Sequence, residues 1–210
     1  MFITFFHRLF DLILPRSPFE RELDTLTLEE FIEKSGGLLY REYDHTLYLF
    51  DYKNEFVRAS IHSLKYHGNT RLAHWYATLL YEALLEETPE KGVLLIPIPM
   101  SKKKIHIRGW NQCLLIVDAF KKIDEKKHFT ITADVLYKKH TTESQARTKS
   151  RKERLLNIKN SFGIRYGEKI YKENVVLFDD VITTGSTLRE AENTLARAKV
   201  RCVKKIALAH

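Results

Sequence analysis

Residues 175–187 read VVLFDDVITTGST, and no other stretch constrains the chain as tightly. Residues 175–178 are a short apolar run of the kind that forms a buried parallel strand. After Gly185 the sequence LREAENTLARA puts Leu188, Ala191, Leu195 and Ala198 on one helical face. A strand that turns directly into a helix leaves free backbone N–H groups pointing outward from Thr183, Thr184, Gly185, Ser186 and Thr187. With the helix dipole and the four hydroxyls of that loop, those amides form a cradle for a phosphomonoester.

Asp179 and Asp180 precede the cradle. A P-loop needs G-x-x-x-x-G-K-[ST] and a dinucleotide site needs G-x-G-x-x-G, and neither occurs. Carboxylates touching the phosphate would repel it, so their natural partners are the hydroxyls of an attached sugar, and a ribose 5-phosphate fits. An ordinary strand–turn–helix, its aspartates merely favouring the helix N-terminus, is the plainer alternative. It accounts for the acids but not for the whole pattern. The run resembles the motif with which type I phosphoribosyltransferases bind phosphoribosyl pyrophosphate (PRPP). That resemblance implies the ribose 2- and 3-hydroxyls on Asp179 and Asp180 and the 5-phosphate on residues 183–187.

Upstream, residues 93–96 read as another buried strand, followed by PIPMSKKKIHIRGWNQ at 97–112. Residues 141–162 read TTESQARTKSRKERLLNIKNSF, and residues 65–69 read KYHGN. In this order the three segments resemble those of the competence F (ComF/ComFC) family, with Trp110 in an aromatic position and Thr142, Gln145, Arg154, Asn157 and Phe162 matching the middle pattern. The resemblance spans about residues 45–210. It implies a type I phosphoribosyltransferase-like fold, binding of PRPP with Mg²⁺, and a role in DNA uptake during natural transformation. Single-stranded DNA and proteins of the competence machinery are the further partners it implies.

The segment after Ile96 suits a pyrophosphate loop. Prolines stiffen the backbone and lysines supply charge, so Pro99, Ser101, Lys102, Lys103, Arg108 and Gln112 are its candidate residues. A solvated basic loop is an equal reading for the lysines taken singly. Arg108 and Gln112 bracket a Gly-aromatic-Asn turn that opens a helix with Cys113, Ile116 and Phe120 on its apolar face. Trp110 reads as packing. The net charge of +8 is concentrated in residues 102–108 and 138–159. The second cluster, with Gln145, Arg147, Arg151 and Arg154, reads as a mobile basic loop. It resembles in placement the loop that closes over pyrophosphate in type I phosphoribosyltransferases, and it also suits a nucleic-acid backbone. Stacking aromatics beside it are few, since Phe129 and Tyr137 read as core.

Strands near 45–52, 93–96, 175–178 and 203–209 alternate with helices near 55–66 and 71–87 and after each motif strand. Such alternation specifies an α/β fold, a mostly parallel sheet flanked by helices with ligands at the carboxyl ends of the strands. Residues 163–173 read as a hairpin or loop. Residues 1–44 read as a small helical appendage or hood and residues 45–210 as the phosphoribosyltransferase-like domain. Thr27 to Glu30 fits a capping box, with Gly36 and Gly37 ending its helix. The apolar start MFITFFHRLFDLILP is broken by His7, Arg8 and Asp11, which argues for a packed amphipathic helix and against stable membrane insertion.

Competence F proteins commonly carry a four-cysteine zinc module near the N-terminus. Here the only cysteines are Cys113 and Cys202, so no zinc and no protein-held metal is expected, and two isolated thiols point to a cytoplasmic setting. No general base is evident: Thr183 stands where 6-oxopurine transferases carry a carboxylate, and lone histidines near the motifs are more often surface residues. Catalytic residues stay unassigned. Three readings remain open: a DNA-handling competence protein that binds PRPP, an active phosphoribosyltransferase on a nucleobase or amine, and a non-catalytic PRPP sensor.

Overall fold

The computed structural model describes residues 15–88, 90–139 and 160–210. Gln145, Arg147, Arg151 and Arg154, with Thr142 and Asn157 and the apolar N-terminal stretch, lie outside them.

Two short helices come first, α1 (Pro18–Glu22) and α2 (Leu28–Lys34), each opened by a capping box, Ser17 with Glu20 and Thr27 with Glu30. A hairpin of β1 (Arg41–Tyr43) and β2 (Thr46–Phe50) leads into α3 (Glu55–His67) and α4 (Thr70–Glu87), capped by Asn54 and Asn69. Then follow β3 (Val93–Pro97), α5 (Lys102–Arg108), α6 (Gln112–Ile123) and β4 (Phe129–Ile131). A small antiparallel pair, β5 (Leu136–Lys138) and β6 (Phe162–Ile164), precedes β7 (Asn174–Val181), α7 (Ser186–Arg197) and β8 (Cys202–Ala209).

The main sheet has the order β1-β2-β8-β7-β3-β4, parallel throughout except for edge strand β1. Strand β3 and residues 175–178 of β7 are apolar without a break because both faces are covered. Val176 and Phe178 of β7 face one core cluster, and Val175 and Leu177 face the other. In β3, Leu95 and Ile96 divide in the same way. Helices α3, α4 and α6 cover the first face, where α1 and α2 add Leu23, Leu26 and Phe31, and Phe31 packs on Phe50, Trp75 and Tyr76. Helix α7 covers the second face through Leu188, Ala191 and Leu195.

This division positions the site. From β3 the chain crosses through α6 on one face to β4, and from β7 it crosses through α7 on the other face to β8. Adjacent strands whose connections diverge in this way leave a crevice at their carboxyl ends, where open α/β sheets bind ligands.

Two local readings are corrected. Residues 102–108 form a helix where the sequence suggested a loop, with Ser101 accepting from the Lys104 amide and Gly109 ending the turn at φ 86°. Tyr137, read as core, is half-buried and lies under the Arg165 guanidinium at 4.6 Å, whereas Phe129 is buried. The peptide bonds before Pro97 and Pro99 are trans.

Candidate ligand cleft

At the carboxyl ends of β3 and β7 lies a cavity of about 160 Å³. Asp179 and Asp180, at the end of β7, form its floor, and Pro99, Ser101, Arg108 and Gln112 form its wall. Lys65, Lys104 and Lys138 also line it, so four cations surround two acids, a balance that suits a polyphosphate. It shares Asp179 and Thr187 with a niche of about 20 Å³ that Val181, Ile182, Thr183, Gly185, Ser186 and Leu188 complete.

The niche lies in the loop where the sequence suggested a phosphate cradle. Gly185 takes φ 67°, and no side chain caps α7. Among the described residues no protein group accepts from the amides of Thr183 to Thr187. Thr184 and Ser186 share a hydroxyl hydrogen bond of 2.8 Å. Gly185 is further constrained from outside. Asp44, at the tip of the β1–β2 hairpin, is held by Arg189 at 2.7 Å, and a Cβ on Gly185 would stand 2.7 Å from its Oδ2.

The two aspartates sit in different surroundings. Asp180 is buried. Its Oδ2 is 2.7 Å from Lys65 Nζ and accepts from Gln112 Nε2 at 3.1 Å, and its Oδ1 accepts from the Val181 amide at 2.9 Å. Asp179 is half-buried and receives the Asp180 amide at 2.9 Å and the Cys113 thiol at 3.8 Å. Burial and the neighbouring Asp180 charge push the Asp179 carboxyl up to about 8. Burial, then the two aspartates, raise Cys113 well above the usual thiol range, so it stays a neutral thiol rather than a nucleophile. Burial works against the charge of Lys65, but Asp180, Tyr52 and Asp179 together outweigh it and the net shift is upward. Lys138 is lowered, first by burial and then by Lys104 nearby.

Helix α5 explains which lysines reach the cleft. On a helix, residues four apart share a face, so Lys104 and Arg108 line the cavity together. Lys102 lines a neighbouring groove instead, and Lys103 is exposed and lines neither. The sequence reading missed Lys65, Lys104 and Lys138 as cleft residues. Lys65 stood in the KYHGN segment as a signal; Lys138 opened the basic cluster of residues 138–159, but its place in the cleft depends on the non-local β5–β6 pairing.

Two of the sequence segments that suggested a family, residues 65–69 and 97–112, touch one another. The Trp110 indole donates to the Leu64 carbonyl at 2.8 Å, and its ring lies against Gly68, whose φ of 60° ends α3. Arg108 lies over the Tyr66 ring at 4.9 Å. Asn111 caps α6 by accepting from the Cys113 amide and donates to the Ile98 carbonyl at 3.2 Å, tying the helix to the end of β3.

The neighbouring groove, about 420 Å³, shares Pro99, Met100, Asn111 and Lys138 with the cavity. Its outer rim carries the exposed apolar residues Ile105, Leu114 and Tyr166.

No family model matches the chain. Curated relatives do. It is 30% identical over 155 residues to competence protein F of Haemophilus influenzae, covering 71% of this chain and 66% of that protein. It is 26% identical over 142 residues to competence protein ComFC of Bacillus subtilis, covering 68% and 54%. DNA utilization protein YhgH of Escherichia coli O157:H7 is 27% identical over 141 residues, covering 65% and 60%. The chain thus spans between about half and two thirds of the length of these relatives. Among solved structures, a hypoxanthine-guanine phosphoribosyltransferase from Bacillus anthracis matches with TM-score 0.42 and 13% identity over 66% of this chain and 69% of that one. A likeness of that size carries no argument about chemistry, and the α/β architecture stands on the sheet itself. Both the motif order and these relatives lead to one assignment: the chain is a homologue of the competence F proteins.

Proposed function

We propose that this chain is a PRPP-binding protein that acts, like the competence F proteins it resembles, in the handling of DNA during uptake. One observation carries the reading: the amides of residues 183–187, without an acceptor among the described residues, open beside Asp179 into a cavity walled by Lys104, Arg108 and Lys138. Phosphate cradle, hydroxyl acceptors and cationic wall follow one another in the order of a 5-phosphate, a ribose and a diphosphate.

The residues present fit Mg²⁺ as a companion of PRPP. Magnesium takes oxygen ligands, so it would be held chiefly by the ligand's own oxygens and water, with Asp179 beside it and the Cys113 thiol no partner. When bound, it neutralises charge on the diphosphate. Among the described residues no helix is long and apolar enough to cross a membrane. Two free cysteines, in a chain that has no others, support a cytoplasmic setting.

Calorimetric titration of PRPP with Mg²⁺ tests the reading. Submillimolar binding is expected, competed by ribose 5-phosphate and by pyrophosphate. No heat with PRPP, in a protein shown to be folded, overturns it.

A second reading, phosphoribosyl transfer to an acceptor, is favoured by the 420 Å³ groove that opens beside the cavity and has the size of a small-molecule site. Screening nucleobases and amines for pyrophosphate release separates it from a silent PRPP sensor, which binds PRPP and releases none.

A further inference from the structure

Away from the cleft, three ligand-type side chains converge where α1 meets α3. Glu20 is 2% exposed, and its Oε2 accepts from the Ser17 amide at 2.8 Å, which leaves Oε1 turned toward α3. His62 Nδ1 lies 2.9 Å from that oxygen and His67 Nε2 lies 3.5 Å from it. All three ligand atoms are within 4.8 Å of one another. A tetrahedral ion with bonds of about 2.0–2.1 Å sets its ligands about 3.3 Å apart, so the two measured separations straddle the spacing such an ion imposes.

The donor set selects the class of ion. Two imidazole nitrogens and one carboxylate oxygen suit borderline divalent cations, whereas Mg²⁺ and Ca²⁺ prefer oxygen alone. The Ser17 amide fixes the carboxylate as an outer partner would. His62, its side chain 38% exposed, leaves one side of the cluster open to solvent.

We propose that Glu20, His62 and His67 bind one borderline divalent cation, Zn²⁺ foremost, which staples α1 to the last turn of α3. Coordination requires His62 as its Nε2–H tautomer and His67 as its Nδ1–H tautomer, so that both free lone pairs face the ion. The same turn carries Lys65, paired with Asp180, and Tyr66, under Arg108, so the ion stiffens one wall of the cleft. The scarcity of cysteines does not bear on this site, which uses none.

The test is a titration of the whole, chelator-treated protein with Zn²⁺, paralleled by Co²⁺ followed through its visible d–d bands. The parent protein is expected to take up about one equivalent, to show the bands of a tetrahedral centre and to unfold at a higher temperature with Zn²⁺. In the His62→Gln/His67→Gln variant the affinity should fall at least about tenfold and the thermal shift should vanish. Glu20→Gln, which keeps the shape and the acceptor for Ser17, provides a milder probe with the same expected direction. A folded parent that binds no ion overturns the proposal. So does unchanged affinity in both Glu20→Gln and the histidine double variant, which would mark the uptake as adventitious.

Discussion

Lys65 Nζ stands 2.7 Å from Asp180 Oδ2, joining the last turn of α3 to the carboxyl end of β7. Both side chains are largely shielded, at 20% and 8% exposure, and Gln112 adds a second hydrogen bond to the same oxygen. Asp180 is therefore held by the protein itself. Asp179, half-buried at the cavity floor, has no such cation pair among the described residues, so two neighbours in sequence sit in unequal surroundings.

Removing Lys65 strands a buried carboxylate. Lys65→Met should cost about 3 kcal/mol in urea denaturation, within the range for breaking a shielded pair. Adding Asp180→Asn should recover much of that loss, because the charge that lacked a partner is gone. Additive losses in the double-mutant cycle would show that the two side chains do not interact.

Asp179 gives stability a pH dependence of unusual sign. Its carboxyl is pushed up to about 8 in the folded protein, above the value near 4 of an unfolded chain. Between those values the native state holds the extra proton, so stability is greatest on the acid side and declines as pH rises toward 8. Asp179→Asn should flatten that decline in denaturation curves recorded from pH 5 to 9. Binding of PRPP with Mg²⁺ should release a proton from the same group, visible as a dependence of the calorimetric heat on buffer ionisation enthalpy.

The motif of residues 175–187 was legible because two independent patterns meet there: a continuous apolar run, which only a strand covered on both faces tolerates, and a glycine where φ must be positive. Helix α5 was not legible. Its sequence KKKIHIR buries no residue, so burial prints no 3.6-residue periodicity on it, and only the Ser101 cap and Gly109 mark its ends. Reading it as a loop singled out Lys102 and Lys103, whereas the helix delivers Lys104 and Arg108 to the cavity. The Ser17–Glu20 capping box could have been read as readily as that of Thr27 and Glu30. Its convergence with His62 and His67 could not, since it depends on how α1 docks against α3.

Gly185 should be irreplaceable in the cradle. Gly185→Ala places a side chain at φ 67° with its Cβ 2.7 Å from Asp44 Oδ2, so the loop or the hairpin tip must shift. Crystals grown from sulfate should show an anion on the amides of residues 183–187 in the parent protein and none in the variant. An empty loop in the parent would remove the basis for a phosphate cradle.

The basic segment allows the proposed role in DNA handling to be tested. Lys139 and Asn160 bracket it: Lys139 lines the groove beside the cavity, and the Asn160 amide donates to Glu190 of α7 at 2.8 Å. If Arg147, Arg151 and Arg154 contact a single-stranded backbone, affinity should fall with salt at a slope of roughly 0.7 per neutralised phosphate. Replacing all three with Ala should lower the slope by about 2, while PRPP binding persists because the amides of residues 183–187 are untouched. Unchanged affinity and slope in that variant, measured by fluorescence anisotropy with an oligonucleotide, would exclude the segment as a nucleic-acid surface. Slower pyrophosphate release in the same variant would then assign its arginines to the transfer reaction.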